Sequence, residues 1–297
     1  MGIVAAGVQF QSNWLEILSS PFMRTAFIAG VLVAVASGLI GYFVIVRGSM
    51  FASHALAHIG FPGATGAALV GSSVFTGLVV FTVVGGVVIG LLGKKASDRE
   101  IATGTVLAWA TALGVLFASL ASGNTSTVTN ILFGNLLAIP SQQLVVFAIF
   151  LVVLAIVLLV IFRPLLFTSI DPEVAEAKGV NVKGLGIAFM ILLALVVSMA
   201  VTVVGVLLIF ALLVTPAAAA LRFTARPGWV IFWSSVIGVA SVAVGLVIAA
   251  MINLPPSFFI VTTVFVVWLV AAGLRRERAL VRPTGGHPQH GDPVHEH

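Results

Sequence analysis

Apolar residues along this chain fall into nine runs, at about 22–46, 54–71, 74–93, 101–120, 143–162, 185–208, 211–224, 229–250 and 258–274. Eight of them approach the roughly twenty residues that an α-helix needs to cross a hydrocarbon layer of about 30 Å. No ten-residue segments alternate polar and apolar as barrel strands do. The pattern predicts an all-α, polytopic transmembrane helical bundle of about 8–9 spans. The run at 211–224 is short and carries Thr215-Pro216, so a broken or re-entrant element is expected there. The run at 54–71 is the odd one. It opens "SHALAHIGFPG", with His54 and His58 four residues apart and Pro62-Gly63 one turn further on.

Two connections are more than turns. The segment "SGNTSTVTNILFGNLLAIPSQQ" is uncharged, with an apolar middle too short to cross, and predicts a short helix on one rim. In "RPLLFTSIDPEVAEAKGVNVKG" the spacing predicts a short capped helix. Asp171 is the N-cap, Pro172 the first helical residue, Glu173 and Glu176 lie in the early turns, and Gly179 is the stop. Small residues recur every four positions at Gly30, Ala34 and Gly38, at Gly63, Ala67 and Gly71, and at Gly86 and Gly90, a spacing that lets helices pack closely. Asn253, Pro255, Pro256 and Ser257 read as a turn before the last span.

Composition agrees with the pattern. Of 297 residues, 60% are hydrophobic and 8% charged, against about 25% charged in a soluble domain. Mean hydropathy is +1.23. There is no cysteine, which excludes disulfides, thiolate ligands and iron–sulfur chemistry. Residues 1–21, with Glu16 and three polar amides, read as an interfacial lead-in rather than a cleaved signal, and 276–297 as a disordered tail. The net charge of +5 is no nucleic-acid footprint, because the basic residues sit at span ends. With the first span running inward, every Lys and Arg except Arg24 falls on the inner side. The expected orientation is therefore N-terminus outside and C-terminus in the cytoplasm.

Polar chemistry is scarce. No Asp or Glu lies inside a proposed span, which weighs against a proton- or sodium-coupled carrier. His54 and His58 share one helical face, and an ionisable group at membrane depth is a functional-site hypothesis by default. Neutral imidazoles suit a borderline-soft divalent cation; the alternative is two rings hydrogen-bonded to neighbouring carbonyls. A Pro62-Gly63 break would free carbonyls along a path. The tail "GGHPQHGDPVHEH" adds His287, His290, His295 and His297, a tract able to chelate metal loosely.

Taken together, "VRGSMFASHALAHIGFPGATGAALVG" resembles the region after the first span in membrane permeases of bacterial ABC importers for zinc, manganese and iron. "ILFGNLLAIPSQQL", "DPEVAEAKGVNV", "VVGVLLIFALLVTPAAAALR" and "NLPPS" are similar to further segments of that family, in the family's order. The resemblance implies a type II ABC-importer permease fold in a bacterial cell membrane, with a transport domain at 22–275. It implies a homodimer, two cytoplasmic ATPase subunits that bind ATP, and an extracytoplasmic metal-binding protein. Residues 171–183 would be the coupling segment, with Asp171, Glu173, Glu176 and Gly179 meeting the ATPase. No nucleotide loop occurs in this chain, so the permease is expected to be no enzyme and to hold no permanent cofactor, only its transported metal. Where the family usually has aspartate this chain has His54; its histidine is matched by His58 and its serine by Ala57. Trading oxygen for nitrogen favours zinc over manganese. Import of a metal chelate or other organic cargo, and an ATP-independent carrier, are the alternatives.

Overall fold

The computed structural model describes residues 11, 13–92, 96–120, 125–252 and 254–280, and these are helical with no strand among them. In chain order the helices are α1 (Trp14–Ser19), α2 (Pro21–Val46), α3 (Met50–Leu69), α4 (Val74–Leu92), α5 (Ala96–Leu120) and α6 (Thr125–Phe133). After a 3₁₀ turn at Leu136–Ala138 come α7 (Ser141–Ile170), α8 (Pro172–Ala177), α9 (Val182–Val204), α10 (Ile209–Leu213), α11 (Thr215–Phe223), α12 (Pro227–Ile252) and α13 (Pro256–Leu280). Seven of them, α2, α4, α5, α7, α9, α12 and α13, are long and apolar enough to cross a membrane. Helix α3 is not among these, although its 20 residues reach about 30 Å. Its two imidazoles lower its hydropathy, and it compensates by being wrapped in other helices.

Packing follows the small residues. Helix α2 lies along α12, where a Cβ on Gly30 would overlap the Val242 side chain at 2.5 Å and one on Gly38 the Ser235 backbone at 2.7 Å. Helix α4 is pressed between α3 and α9. Gly63 and Gly77 meet across the α3–α4 crossing, and Gly86 faces the Met190 carbonyl of α9. The buried hydroxyls of Thr82 and Ser198 add a 2.6 Å hydrogen bond between α4 and α9. Gly71 departs from the expected stripe. It ends α3 in a left-handed conformation instead of packing, with the Ser72 amide returning to the Ala67 carbonyl.

The short run expected at 211–224 is interrupted. Helices α10 and α11 meet at Val214, because Pro216 has no N–H to continue the ladder. Ahead of it, residues 205–208 leave helical geometry, and two of their amides turn to α6: Val206 donates to the Ile131 carbonyl and Leu207 to that of Leu132. Non-helical backbone inside a bundle stands only where protein satisfies it. The expected rim helix, α6, supplies those carbonyls at the end of the bundle where α9 stops. At the neighbouring turn Ser257 is already helical, buried and within 3.5 Å of the Val203 carbonyl, while Asn253 lies outside the described residues.

Candidate functional site

Helix α3 starts from a turn of fixed shape. Arg47 caps α2, Gly48 takes φ +62°, and the amides of Gly48 and Ser49 return to the carbonyls of Ile45 and Val44. This double closure is a Schellman motif, and only glycine holds its left-handed position without strain. The Ser53 amide then donates to Ser49, and α3 begins.

From Ala52 to Thr65 every residue of α3 is buried except two, His54 and His58. Their rings stand edge to face, with centroids 4.8 Å apart and planes at 69°. Exposed Met50 and Phe51 extend the same strip toward the start of the helix. The pair thus sits about 6–12 Å along the helix, on the one open face of its buried middle, Ala52 to Thr65. One chain brings two imidazoles together and no more. Among the described residues, no cluster of three or more His, Cys, Asp or Glu side chains could hold a metal ion.

The expected break at Pro62-Gly63 does not occur; α3 runs unbroken through Pro62. Proline still removes one bond, since it offers no N–H to the carbonyl four residues back, that of His58. Thr65 steadies the turn by sharing its hydroxyl between the Phe61 and Pro62 carbonyls at 3.0 and 3.3 Å. Gly63 faces α4 rather than the open strip, with Phe81 pressed against it. The tail residues His287, His290, His295 and His297 lie outside the described residues.

At the far end of α7 the sequence reading of the capped helix is matched atom by atom. The Asp171 carboxylate accepts from the Val174 amide at 3.0 Å, and Pro172 opens α8. Gly179 at φ +80° closes another Schellman turn, with the Val180 amide on the Ala175 carbonyl. Ala175 is buried against the bundle, whereas Glu173, Glu176 and Lys178 are exposed. Helix α8 therefore presents a charged face to its surroundings and is seated on α7 and α9.

Two polar features have no counterpart in the sequence reading. The Arg47 guanidinium reaches across to the last turn of α7, 3.1 Å from both Thr168 and Ser169. A cavity of about 290 Å³ opens at the other end of the bundle, bordered by the carboxamides of Asn130, Asn135 and Gln143 and by Thr202. Neither was legible, because each assembles residues from three or more distant segments.

Residues 19–275 match the model of the ABC 3 transport family. The manganese transport system membrane protein MntC of Listeria monocytogenes serovar 1/2a is 32% identical over 251 residues, 84% of this chain and 89% of that protein. The manganese import system permease protein ScaB of Streptococcus parasanguinis is likewise 32% identical over 251 residues, with the same two coverages. Among solved structures, a chain of PsaBC from Streptococcus pneumoniae in complex with Fab superposes with a TM-score of 0.80 at 28% identity, covering 91% of this chain and 99% of that one.

Proposed function

This chain belongs to the ABC 3 transport family of metal-importer permeases, and from that membership we propose how it carries its cargo. Two copies pair so that the open strips of their α3 helices face a shared path. The His54 and His58 side chains of each copy then offer up to four imidazole nitrogens to a divalent cation, the number a tetrahedral site takes. The single observation that carries this reading is that, between Ala52 and Thr65 of α3, both rings stand at the two positions left open while every other residue is buried. Were they structural, burial beside a carbonyl would serve better than an apolar strip of exposed Met50 and Phe51.

The cargo is Zn²⁺ on ligand chemistry, since neutral nitrogens replace the carboxylate that the family pattern has at position 54. Mn²⁺ is the second reading, and the names of both relatives favour it. Movement is driven from outside the chain. Helix α8 lies at the cytoplasmic end, where the positive-inside rule also gathers Arg47, Arg163, Lys178 and Lys183, and its exposed Glu173 and Glu176 dock a separate ATPase subunit. An extracytoplasmic binding protein supplies the metal at the opposite end, near Arg24.

The deciding experiment is ATP-dependent uptake by vesicles holding the permease with its ATPase, run with Zn²⁺ and Mn²⁺ in turn. Loss of a partner group behind a ligand already costs about 10–100-fold in affinity, so His54→Ala and His58→Ala should each cut uptake at least roughly 100-fold. Wild-type uptake by both variants would remove the site. A preference for Mn²⁺ over Zn²⁺ would leave the site standing and overturn the cargo.

A further inference from the structure

Arg47 is held at both ends of a short mechanical chain, and we propose that it is the positioning residue that relays displacement of α8 to the imidazole pair. The proposal rests on the reading of α8 as the ATPase-docking element. Two residues separate Arg47 from the start of α3, and the Schellman closure at Gly48 removes slack between them. On the other side, Nη1 donates to Thr168 Oγ1 and Ser169 Oγ, both at 3.1 Å. These hydroxyls are prepared as acceptors, because their own hydrogens go to the Leu165 carbonyl. Both sit in the last turn of α7, two and three residues before the Asp171 cap of α8.

The same guanidinium also touches the helix that follows α8. Its carbon lies 5.2 Å from the centre of the Phe189 ring on α9, and Nη2 passes beside Gly186, one turn earlier, where a Cβ would stand 3.9 Å from it. One side chain therefore fastens α7 ahead of α8 and α9 behind it. Helix α8 itself is six residues long with one buried side chain, Ala175, so it follows the two helix ends on which it is seated. A push on α8 that tilts those ends pulls Arg47, and through a rigid turn it moves His54, about one turn along α3. A planar fork is what the task needs, since two hydroxyls and a ring face must be engaged together.

The test uses the assembled complex of permease and ATPase in vesicles, with metal moved per ATP hydrolysed as the readout. Arg47→Met keeps the aliphatic stem on Phe189 and drops the fork. The expected result is normal assembly, retained basal ATP turnover and a transport ratio lower by about tenfold, within the usual 5–150-fold range of site-to-site coupling. An unchanged ratio overturns the relay. Should Arg47→Met fail to assemble, the Thr168→Val, Ser169→Ala double variant removes the acceptors with Arg47 in place; the same uncoupling is expected, and wild-type coupling there overturns the proposal. Glu176→Lys separates the two ideas. If it leaves docking and turnover intact, the reading of α8 falls; if it uncouples while both relay variants couple normally, only the relay falls.

Discussion

His58 and Gly63 stand five residues apart on α3 and serve different faces of it. The imidazole occupies the open strip, while Gly63 sits where α4 crosses, against the Gly77 carbonyl and within 2.6 Å of Phe81 for any added Cβ. Overpacking such a crossing typically costs about 1–3 kcal/mol. Gly63→Val is therefore expected to lower the thermal unfolding midpoint of the purified protein, whereas Gly104→Ala, with nothing within 4 Å, should leave it unchanged or slightly raised. Equal effects of the two changes would refute this account of the α3–α4 contact. The sequence showed a repeating row of small residues at Gly63, Ala67 and Gly71, but not which of them packs. Gly71 turned out to cap the helix, a distinction that depends on where α4 begins.

At the scale of elements, α8 is the piece most fully written in local sequence. A capping carboxylate, a proline at the first position and a glycine stop are interactions within a few residues, so they hold whatever the bundle around them does. Asp171→Ala removes one cap bond and should cost about 1 kcal/mol locally. Amide exchange at Val174 would then speed up about fivefold, with bundle unfolding unchanged; protection equal to wild type would contradict the cap. Glu176→Lys acts on a different property. The side chain is exposed, so the helix should form as before while stimulated ATP hydrolysis is abolished, and a normal rate in that variant would count against docking on this face. Helices α10 and α11 mark the contrast. Thr215-Pro216 announced an interruption, yet only the tertiary fold shows why it is tolerated. Gly41 of α2 lies against the Leu213 carbonyl at the break, and α6 lends its carbonyls to the amides of residues 206 and 207.

On the scale of the whole molecule, α3 falls short of the apolarity of the seven spanning helices yet is among the most enclosed, with an open strip starting at Met50 and Phe51. A helix so built asks for another surface over that strip, and a second copy would supply it. The absence of cysteine permits a direct check, since Phe51→Cys would be the only thiol in the chain. A short bis-maleimide should link two copies through it in membranes, and no linkage there, with linkage from Ile149→Cys on exposed α7, would place the pairing face elsewhere. The class of fold, seven of the nine expected span positions, the capped α8 and the imidazole pair were legible from the sequence. Each depends on periodicity or on interactions between near neighbours, which a linear pattern records directly. Tertiary structure alone decided that α3 continues through Pro62, that the open strip of its buried stretch bears both imidazoles, and that Arg47 bridges α7 and α9. Those outcomes depend on which surfaces remain uncovered once distant helices have packed, and on a hydrogen-bond reach across 121 residues of chain, neither of which any local pattern encodes.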